Sequence, residues 1–226
     1  ADVQTREWQI SPPLAVKAPT SLSLAVYDPG GAAAALLTKL KVPFRRLARL
    51  EAPAGKGLII GPDALKQPPE GPWREALAAW VQGGGKLLIL GQTAPPDFLP
   101  VPLSQAQKAP DAKSLPRSTI AFVRAADHPV LAGLTDADLR WWAPDHYVSA
   151  GNYRKPARGN CLPLVDIGTA DGLLETPLIE EYDGDGSYLL CQMPVVEKAE
   201  VAPQAGAMLR NMLAYLASSR PYRVVG

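Results

Sequence analysis

The fold is decided by residues 72–91, which read PWREALAAWVQGGGKLLILG. Pro72 suits the first turn of a helix, and Leu77, Trp80 and Val81 then recur on one helical face. The three glycines at 83–85 end that helix. The apolar run at 86–91 follows at once and is typical of a strand buried on both faces of a parallel sheet. This stretch therefore predicts a helix that leads directly into a buried sheet strand.

The same alternation extends toward the N-terminus. Residues 22–27 and 57–61 are apolar runs that predict buried strands, and the alanine- and leucine-rich residues 32–40 predict a helix between them. Residues 44–50 predict an edge strand whose arginines face water. Strand and helix thus alternate over about seventy residues, which predicts an α/β fold with a mainly parallel central sheet and helices on both faces.

The second half of the chain adds antiparallel pairing and a last helix. Residues 93–116 are rich in proline and predict a loop, while residues 118–124 and 162–167 predict strands. The turn sequence Asp183-Gly184-Asp185-Gly186 separates two strand-like runs, so we expect a hairpin over 177–193 at one edge of the sheet. Apolar side chains recur at helical spacing over 203–217 and predict a closing helix.

Length and proline content suggest the domain boundaries. The 226 residues suit one large domain, and residues 21–219 are predicted to form a single α/β domain. Residues 1–20 contain three prolines and predict an extended arm or linker, and residues 220–226 predict a short tail. Because the chain does not begin with Met, we expect a fragment of a longer protein rather than a processed N-terminus.

Charge and hydropathy exclude two classes of partner. The chain has 23 basic and 22 acidic residues and a formal net charge of +1, so it lacks the basic excess that phosphate neutralisation requires. No apolar run approaches the roughly 18–20 residues of a membrane-spanning helix. We therefore expect neither a nucleic-acid partner nor a membrane.

The reactive side chains do not form a recognisable catalytic motif. No G-x-S-x-G nucleophile elbow occurs, and neither Cys161 nor Cys191, both in apolar strand-like surroundings, is expected to act as a nucleophile. Buried free thiols are favoured over a disulfide between neighbouring strands. Two histidines, His128 and His146, are too few for a metal site, so no metal and no cofactor are predicted.

Two groups of charged residues can each be interpreted either as structural or as catalytic. Asp127-His128 and Asp145-His146 are tempting pairs, but a turn carboxylate beside a packed or capping imidazole explains each of them. The carboxylates at 180, 181, 183 and 185 could supply a glycosidase pair, but spacing alone selects none, and the last two suit a turn.

A ligand site is expected at the carboxyl ends of the strands, where open α/β sheets bind ligands. The loops that leave those ends bring together a mix of hydrogen-bonding groups and one aromatic ring that suits a sugar better than a phosphate: Asp28, Gln92, Trp142, Asp145 and His146. The alternative is that Trp142 packs inward and Asp145 caps a turn.

The order of several short motifs resembles a known kind of domain. These motifs are the runs HPVLAGL at 128–134, DLRWW at 138–142, LIEE at 178–181, LCQ at 190–192 and NMLAYL at 211–216. With GGGKLL at 83–88, they resemble the glutamine-amidotransferase-like accessory domain that large bacterial glycoside hydrolases of the β-galactosidase type carry. The resemblance covers about residues 20–218 and implies a three-layer, flavodoxin-like (class I glutamine-amidotransferase-like) fold.

The resemblance also implies a function. Such domains usually lack the amidotransferase triad, and here Leu90-Gly91-Gln92-Thr93 stands where the nucleophilic cysteine would be. We therefore expect a non-catalytic module of a carbohydrate-active enzyme, with a structural, oligomerisation or sugar-contacting role. Its partners would be a carbohydrate ligand, the catalytic domain of a parent chain, and in a homo-oligomer a second copy. An independent hydrolase that uses carboxylates and imidazoles at the sheet edge is the alternative. A periplasmic or secreted location is favoured over a cytoplasmic one.

Overall fold

The computed structural model describes residues 23–67, 69–106, 115–219 and 221–222. The predicted arm at 1–20 and most of the predicted tail lie outside these residues. In chain order the strands are β1 (Leu24–Tyr27), β2 (Arg45–Arg46), β3 (Gly57–Ile60), β4 (Lys86–Leu90), β5 (Ser104–Gln105), β6 (Arg117–Ser118), β7 (Phe122–Val123), β8 (Ser149–Ala150), β9 (Tyr153–Arg154), β10 (Cys161–Thr169), β11 (Gly172–Asp183) and β12 (Gly186–Cys191). The helices are α1 (Ala32–Lys39), α2 (Trp73–Gln82), α3 (Val195–Lys198) and α4 (Pro203–Leu216). A short 3₁₀ turn spans Pro129–Leu131.

One mixed sheet forms the centre of the fold, with the strand order β2-β1-β3-β4-β12-β11-β10-β7. The strands from β2 to β12 are parallel, and those beyond β12 pair antiparallel. Strands β5 and β9 extend the antiparallel side, and β6 and β8 form a separate two-stranded sheet. The predicted α/β class and its core of parallel strands are confirmed, and the antiparallel part is larger than expected.

The hairpin over 177–193 forms as predicted, but it does not lie at an edge. Gly184 has a φ of 59° in its two-residue turn, a conformation that glycine adopts without strain. Strand β12 pairs parallel with β4, while β10 and β7 continue the sheet beyond β11. The physical reason is that β12 is apolar on both faces and is buried along its whole length, as an interior strand must be.

Two hydrophobic cores lie on opposite faces of the sheet. Along β4, Leu88 and Leu90 contribute to the core that α1, α3 and α4 cover, whereas Leu87 and Ile89 contribute to the core that α2 covers. This assignment follows from the alternation of side chains along a strand. Helices therefore cover both faces, and the loops at the carboxyl ends of β3, β4 and β12 meet at one edge.

Candidate functional site

A cavity of about 150 Å³ opens where β3, β4 and β12 end. Its walls come from the loops that leave these strands, from α3, and from the segments around Leu115 and Tyr147. The described residues that line it are Pro62, Asp63, Leu90, Gly91, Gln92, Thr93, Leu115, Tyr147, Ala150, Gln192, Met193, Pro194, Val195, Val196 and Glu197. Of the five residues predicted to bind a ligand, only Gln92 is among them.

Gln92 forms part of the cavity wall, and its side-chain amide is fully engaged. The Nε2 group donates to the carbonyl of Gly61 at 2.9 Å and also to that of Leu90, and Oε1 accepts from the backbone N–H of Leu65 at 3.1 Å. The side chain is 3% exposed. Gln92 therefore ties the ends of β3 and β4 together and has no free amide atom for a ligand.

Two further glutamines fix the same edge from the other side. Gln192 accepts from the backbone N–H of Gln92 at 2.8 Å and donates to the carbonyls of Gln92 and Gly151 at 2.9 and 2.8 Å. Gln105 donates to the same two carbonyls at 3.2 and 2.8 Å. Buried and half-buried amides that bond to backbone in this way hold the loops in place. These residues were missed in the sequence, because a glutamine that follows a strand gives no signal of its long-range partners.

The rim of the cavity carries two carboxylates. Asp63 has a φ of 51°, and its Oδ1 accepts from the backbone N–H of Thr93 at 3.0 Å. Glu197 accepts from the hydroxyl of Tyr147 at 2.8 Å. Burial, and then the bond and charge of Glu197, raise the pKa of Tyr147 to about 12, so this hydroxyl keeps its proton at neutral pH.

Asp28 lies beside this cavity wall but does not line the cavity. It is 2% exposed, its Oδ2 accepts from the backbone N–H of Ala34 at 2.9 Å, and its carbonyl accepts from Arg46 at 3.3 Å. Because a Cβ at position 61 would collide with the Asp28 carboxylate, only glycine fits there. Asp28 therefore packs against Gly61, accepts from the first turn of α1, and is buried outside the lining of the cavity.

Trp142 packs inward, as the alternative interpretation had it. The ring is 1% exposed, and its Nε1 donates to the carbonyl of Asp138 at 2.7 Å. A buried ring has no face to offer a sugar, so Trp142 is not a stacking surface. Its role is to anchor the 142–147 loop in the core.

The buried amine of Lys198 holds that loop in place through hydrogen bonds. It donates to the carbonyls of Trp142 and Tyr147 at 3.0 and 2.7 Å and to the carboxylate of Asp145. Desolvation alone would raise the pKa of Asp145, but the hydrogen bond and the charge of Lys198 outweigh it and lower that pKa. His146 is exposed, with a φ of 66°. Asp145 and His146 thus belong to the loop beside the cavity, and neither lines it.

The neighbouring Trp141, which directly precedes this loop, is exposed. Its ring is 61% exposed and its φ is 48°, a conformation that is unfavourable for a bulky side chain. A strained and exposed indole is costly to fold, and such positions cluster at functional sites. The two tryptophans are adjacent in the sequence, and no pattern around them indicates which one faces water.

A second polar cluster lies deep in the molecule, at the amino end of β4. Glu180 accepts from His128 Nε2 at 2.9 Å and from the hydroxyl of Tyr215 at 2.5 Å. Since His128 Nδ1 accepts from the backbone N–H of Val130, the proton lies on Nε2. His128 and Glu180 are both 0% exposed, so substrate has no access to them.

Lys86 joins this cluster and caps the last turn of α4. Its amine donates to the carbonyls of Tyr215 and Ser218 at 2.9 and 2.7 Å and to the Ser218 hydroxyl. A cation at a helix C-terminus interacts favourably with the helix dipole. Burial lowers the pKa of Lys86 to about 8, although the charge of Glu180 opposes this effect.

The two thiols are free, and neither has the surroundings of a nucleophile. Burial raises the pKa of Cys191 to about 12 and also raises the pKa of the half-buried Cys161. A reactive thiol requires a shift in the opposite direction. Within the described residues, no group of three or more His, Cys, Asp or Glu side chains is placed to hold a metal ion. Likewise, none of the described helices has the length and apolar character needed to cross a membrane.

Comparisons with solved structures place the fold among known proteins. No protein-family model matches the sequence, and no curated protein matches it significantly. A cytoplasmic protein from Salmonella typhimurium matches 89% of this chain over 100% of its own length, with 13% identity and a TM-score of 0.56. A protein assigned as part of a GMP synthase from Thermoplasma acidophilum matches 87% of the chain over 94% of its length, with 12% identity and a TM-score of 0.52.

A glycoside hydrolase is also similar in structure. The β-galactosidase from Rahnella sp. R3 matches 85% of this chain with 11% identity and a TM-score of 0.50, and the matching part is 31% of the enzyme. At such identities the likeness shows a shared fold and nothing about activity. The neighbours do include both kinds of protein that the sequence resemblance named, since one is assigned to a GMP synthase and another is a glycoside hydrolase.

Proposed function

We propose that the chain is a non-catalytic accessory domain of a carbohydrate-active enzyme, with a flavodoxin-like arrangement of its parallel strands. The order β2-β1-β3-β4-β12 supports the flavodoxin-like assignment, because it is the 2-1-3-4-5 order of that fold. A match to about a third of a β-galactosidase supports the role of a domain within a larger enzyme.

The observation that carries the proposal is that the side-chain amide of Gln92 is fully hydrogen-bonded to the backbone. This residue stands directly after β4, where an amidotransferase-like site would need its nucleophile, and its amide is bonded to backbone on both ends. Of the described residues that line the cavity, none is Cys, His or Lys. Acyl transfer of the amidotransferase kind needs a cysteine nucleophile with a histidine base, and the described lining of this cavity contains neither residue type.

The exposed apolar side chains support a contact with another protein surface. Leu173 and Leu174 are 47% and 48% exposed near the tip of the β10–β11 hairpin. Exposed leucines on a projecting hairpin suit burial against the catalytic domain of a parent chain or against a second copy.

Turnover assays test the proposal. The protein should show no hydrolysis of chromogenic β-galactosides, β-glucosides or β-glucuronides and no release of ammonia from glutamine. Turnover that disappears in Asp63→Asn or Glu197→Gln would place catalysis in the cavity, and turnover that disappears in His146→Ala would place it on the neighbouring loop. Either result would overturn the proposal and favour an independent hydrolase. Activity that survives all three substitutions would point to a contaminating enzyme, which repurification would remove.

A further inference from the structure

The cavity at the ends of β3, β4 and β12 has charged groups of one sign. Among the described residues that line it, the ionisable acids Asp63 and Glu197 stand at the rim and no basic side chain is present. Each carboxylate has one oxygen held by a donor, from the Thr93 backbone and the Tyr147 hydroxyl respectively. Within the described part of the chain, the second oxygen of each has no hydrogen-bond donor. Each carboxylate is thus held in place by one hydrogen bond, and its second oxygen can accept another from a ligand.

Two basic groups lie near the rim, and both pack against the ring of Tyr147. The Arg117 guanidinium lies 4.5 Å and the Lys198 amine 3.7 Å from the centre of the Tyr147 ring. Lys198 is also paired with Asp145 and bonded to two carbonyls. Neither cation is bonded to Asp63 or Glu197.

The rest of the cavity sets the size and surface of a ligand. Its walls include the apolar side chains of Leu90, Leu115, Met193, Val195 and Val196. A volume of about 150 Å³ accommodates a single six-membered ring, since an apolar protein cavity of this size accepts benzene. Gln92 and Gln192 in the wall, and Gln105 behind it, fix the loops that bound this space, because their amides donate to backbone carbonyls.

We propose that this cavity binds one amino sugar, with the ammonium group at the acidic rim that Asp63 and Glu197 supply and the ring against the apolar walls. The sugar class rests on the proposed function, and the requirement for an amine rests on the rim. An ammonium group makes charge-assisted hydrogen bonds to carboxylates, which are about twice as strong as neutral ones. An acidic sugar is repelled by the same two groups, and a neutral sugar makes only the weaker bonds.

Binding of four probes to the isolated chain tests this assignment. D-glucosamine, D-glucose, D-glucuronate and cyclohexylamine are titrated by calorimetry or NMR at about pH 6, where the amines are protonated. We expect glucosamine to bind about tenfold more tightly than glucose, since each of two exposed ion pairs contributes roughly threefold to fivefold in affinity. Glucuronate should be the weakest sugar, and cyclohexylamine should bind more weakly than glucosamine because it lacks hydroxyl groups.

Two isosteric variants locate the effect. Asp63→Asn suits the site because asparagine tolerates the positive φ of position 63, and Glu197→Gln keeps an acceptor for Tyr147. Each should reduce the preference for glucosamine over glucose about threefold or more, and the double variant should remove it. Glu51→Gln is the matched control, because Glu51 pairs with Arg45 on the distant edge of the sheet. It should leave the preference unchanged.

Each other outcome has a definite meaning. Equal binding of the three sugars, or tighter binding of glucuronate, would overturn the requirement for an amine while the accessory role stands. Cyclohexylamine binding as tightly as glucosamine would overturn the assignment to a sugar. Binding by none of the four probes at millimolar concentration would remove the cavity as a ligand site. All of these results are independent of the turnover assays, which alone decide whether the domain is catalytic.

Discussion

Replacing Lys86 by Met tests whether the buried amine at the amino end of β4 holds α4 in place. The side chain is 2% exposed and donates to two carbonyls and a hydroxyl at the end of α4. The same replacement removes the positive charge that Glu180 faces, and His128 and Tyr215 would remain as its donors.

The magnitude follows from three effects. The two charge-assisted bonds to the carbonyls contribute about 2 kcal/mol each, and a buried carboxylate without its counter-charge costs about 2–3 kcal/mol. Against this, the variant recovers the cost of burying the amine, about 3 kcal/mol for the difference between a pKa of 10.5 and one of about 8. We therefore expect Lys86→Met to lower the free energy of unfolding by about 3 kcal/mol at neutral pH.

The pH dependence has a definite sign. Because the folded pKa of Lys86 lies below its unfolded value, the unfolded chain binds more protons between about pH 8 and pH 10.5. The stability of the wild type therefore rises with pH in this window relative to that of the Met variant. The stability difference should grow by about 2 kcal/mol between about pH 8 and about pH 9.5, measured by urea denaturation.

Two further variants are the controls. Lys56→Met removes an exposed lysine and should change the stability by less than about 0.5 kcal/mol. The double variant Lys86→Met/Glu180→Gln removes both charges and should be more stable than Lys86→Met alone, since no charge is left unpaired. A loss of less than about 1 kcal/mol in Lys86→Met, or a difference that shrinks as the pH rises, would refute this account.

Other substitutions give equally direct expectations. Burial raises the pKa of Glu181 to about 8, so the wild type loses stability as the pH rises from 4.5 to about 8. The free energy of unfolding of Glu181→Gln, measured by urea denaturation, should therefore rise by about 3 kcal/mol relative to that of the wild type between about pH 5 and pH 8. A difference that stays constant with pH would contradict this. Trp141→Gly should raise the free energy of unfolding by about 1 kcal/mol, because glycine adopts the positive φ of this position without strain, and a lower melting temperature would disprove it. Trp142→Ala, by contrast, should cost about 3–5 kcal/mol, and an unchanged melting temperature would show that the ring is not core. Lys198→Met should cost about 3 kcal/mol and weaken ligand binding in the cavity, because the 142–147 loop loses three bonds to the amine.

The first half of the fold was predictable because its signals are local. Between residues 22 and 91 each apolar run is bounded by glycine or proline, and β1, α1, β3, α2 and β4 all form within about two residues of their predicted limits. The position of β12 was predicted wrongly, although a signal existed. The run Tyr188-Leu189-Leu190-Cys191 is apolar on both faces, which an interior strand requires and an edge hairpin does not.

The site was less predictable because it depends on contacts between distant residues. The edge of the sheet and the residue Gln92 were found from the rule that ligands bind at the carboxyl ends of strands. Asp63 and Glu197 were not found, since a single carboxylate in a loop looks the same whether it faces a cavity or open water. The bond between His128 and Glu180 spans 52 positions, and no periodicity reveals such a pair.

In this fold, one end of β4 contributes mainly to stability and the other end supports the ligand cavity. Lys86 at the amino end acts on α4 and Glu180, while Gln92 after the carboxyl end supports the cavity between Asp63 and Glu197. Substitutions at the two ends should therefore change different properties. Lys86→Met should lower the melting temperature and leave the preference for glucosamine over glucose intact, whereas Asp63→Asn should reduce that preference without a change in melting temperature. If both variants changed both quantities, the two ends would be coupled through the strand, and the rigid network of glutamines would not isolate the cavity from the rest of the sheet.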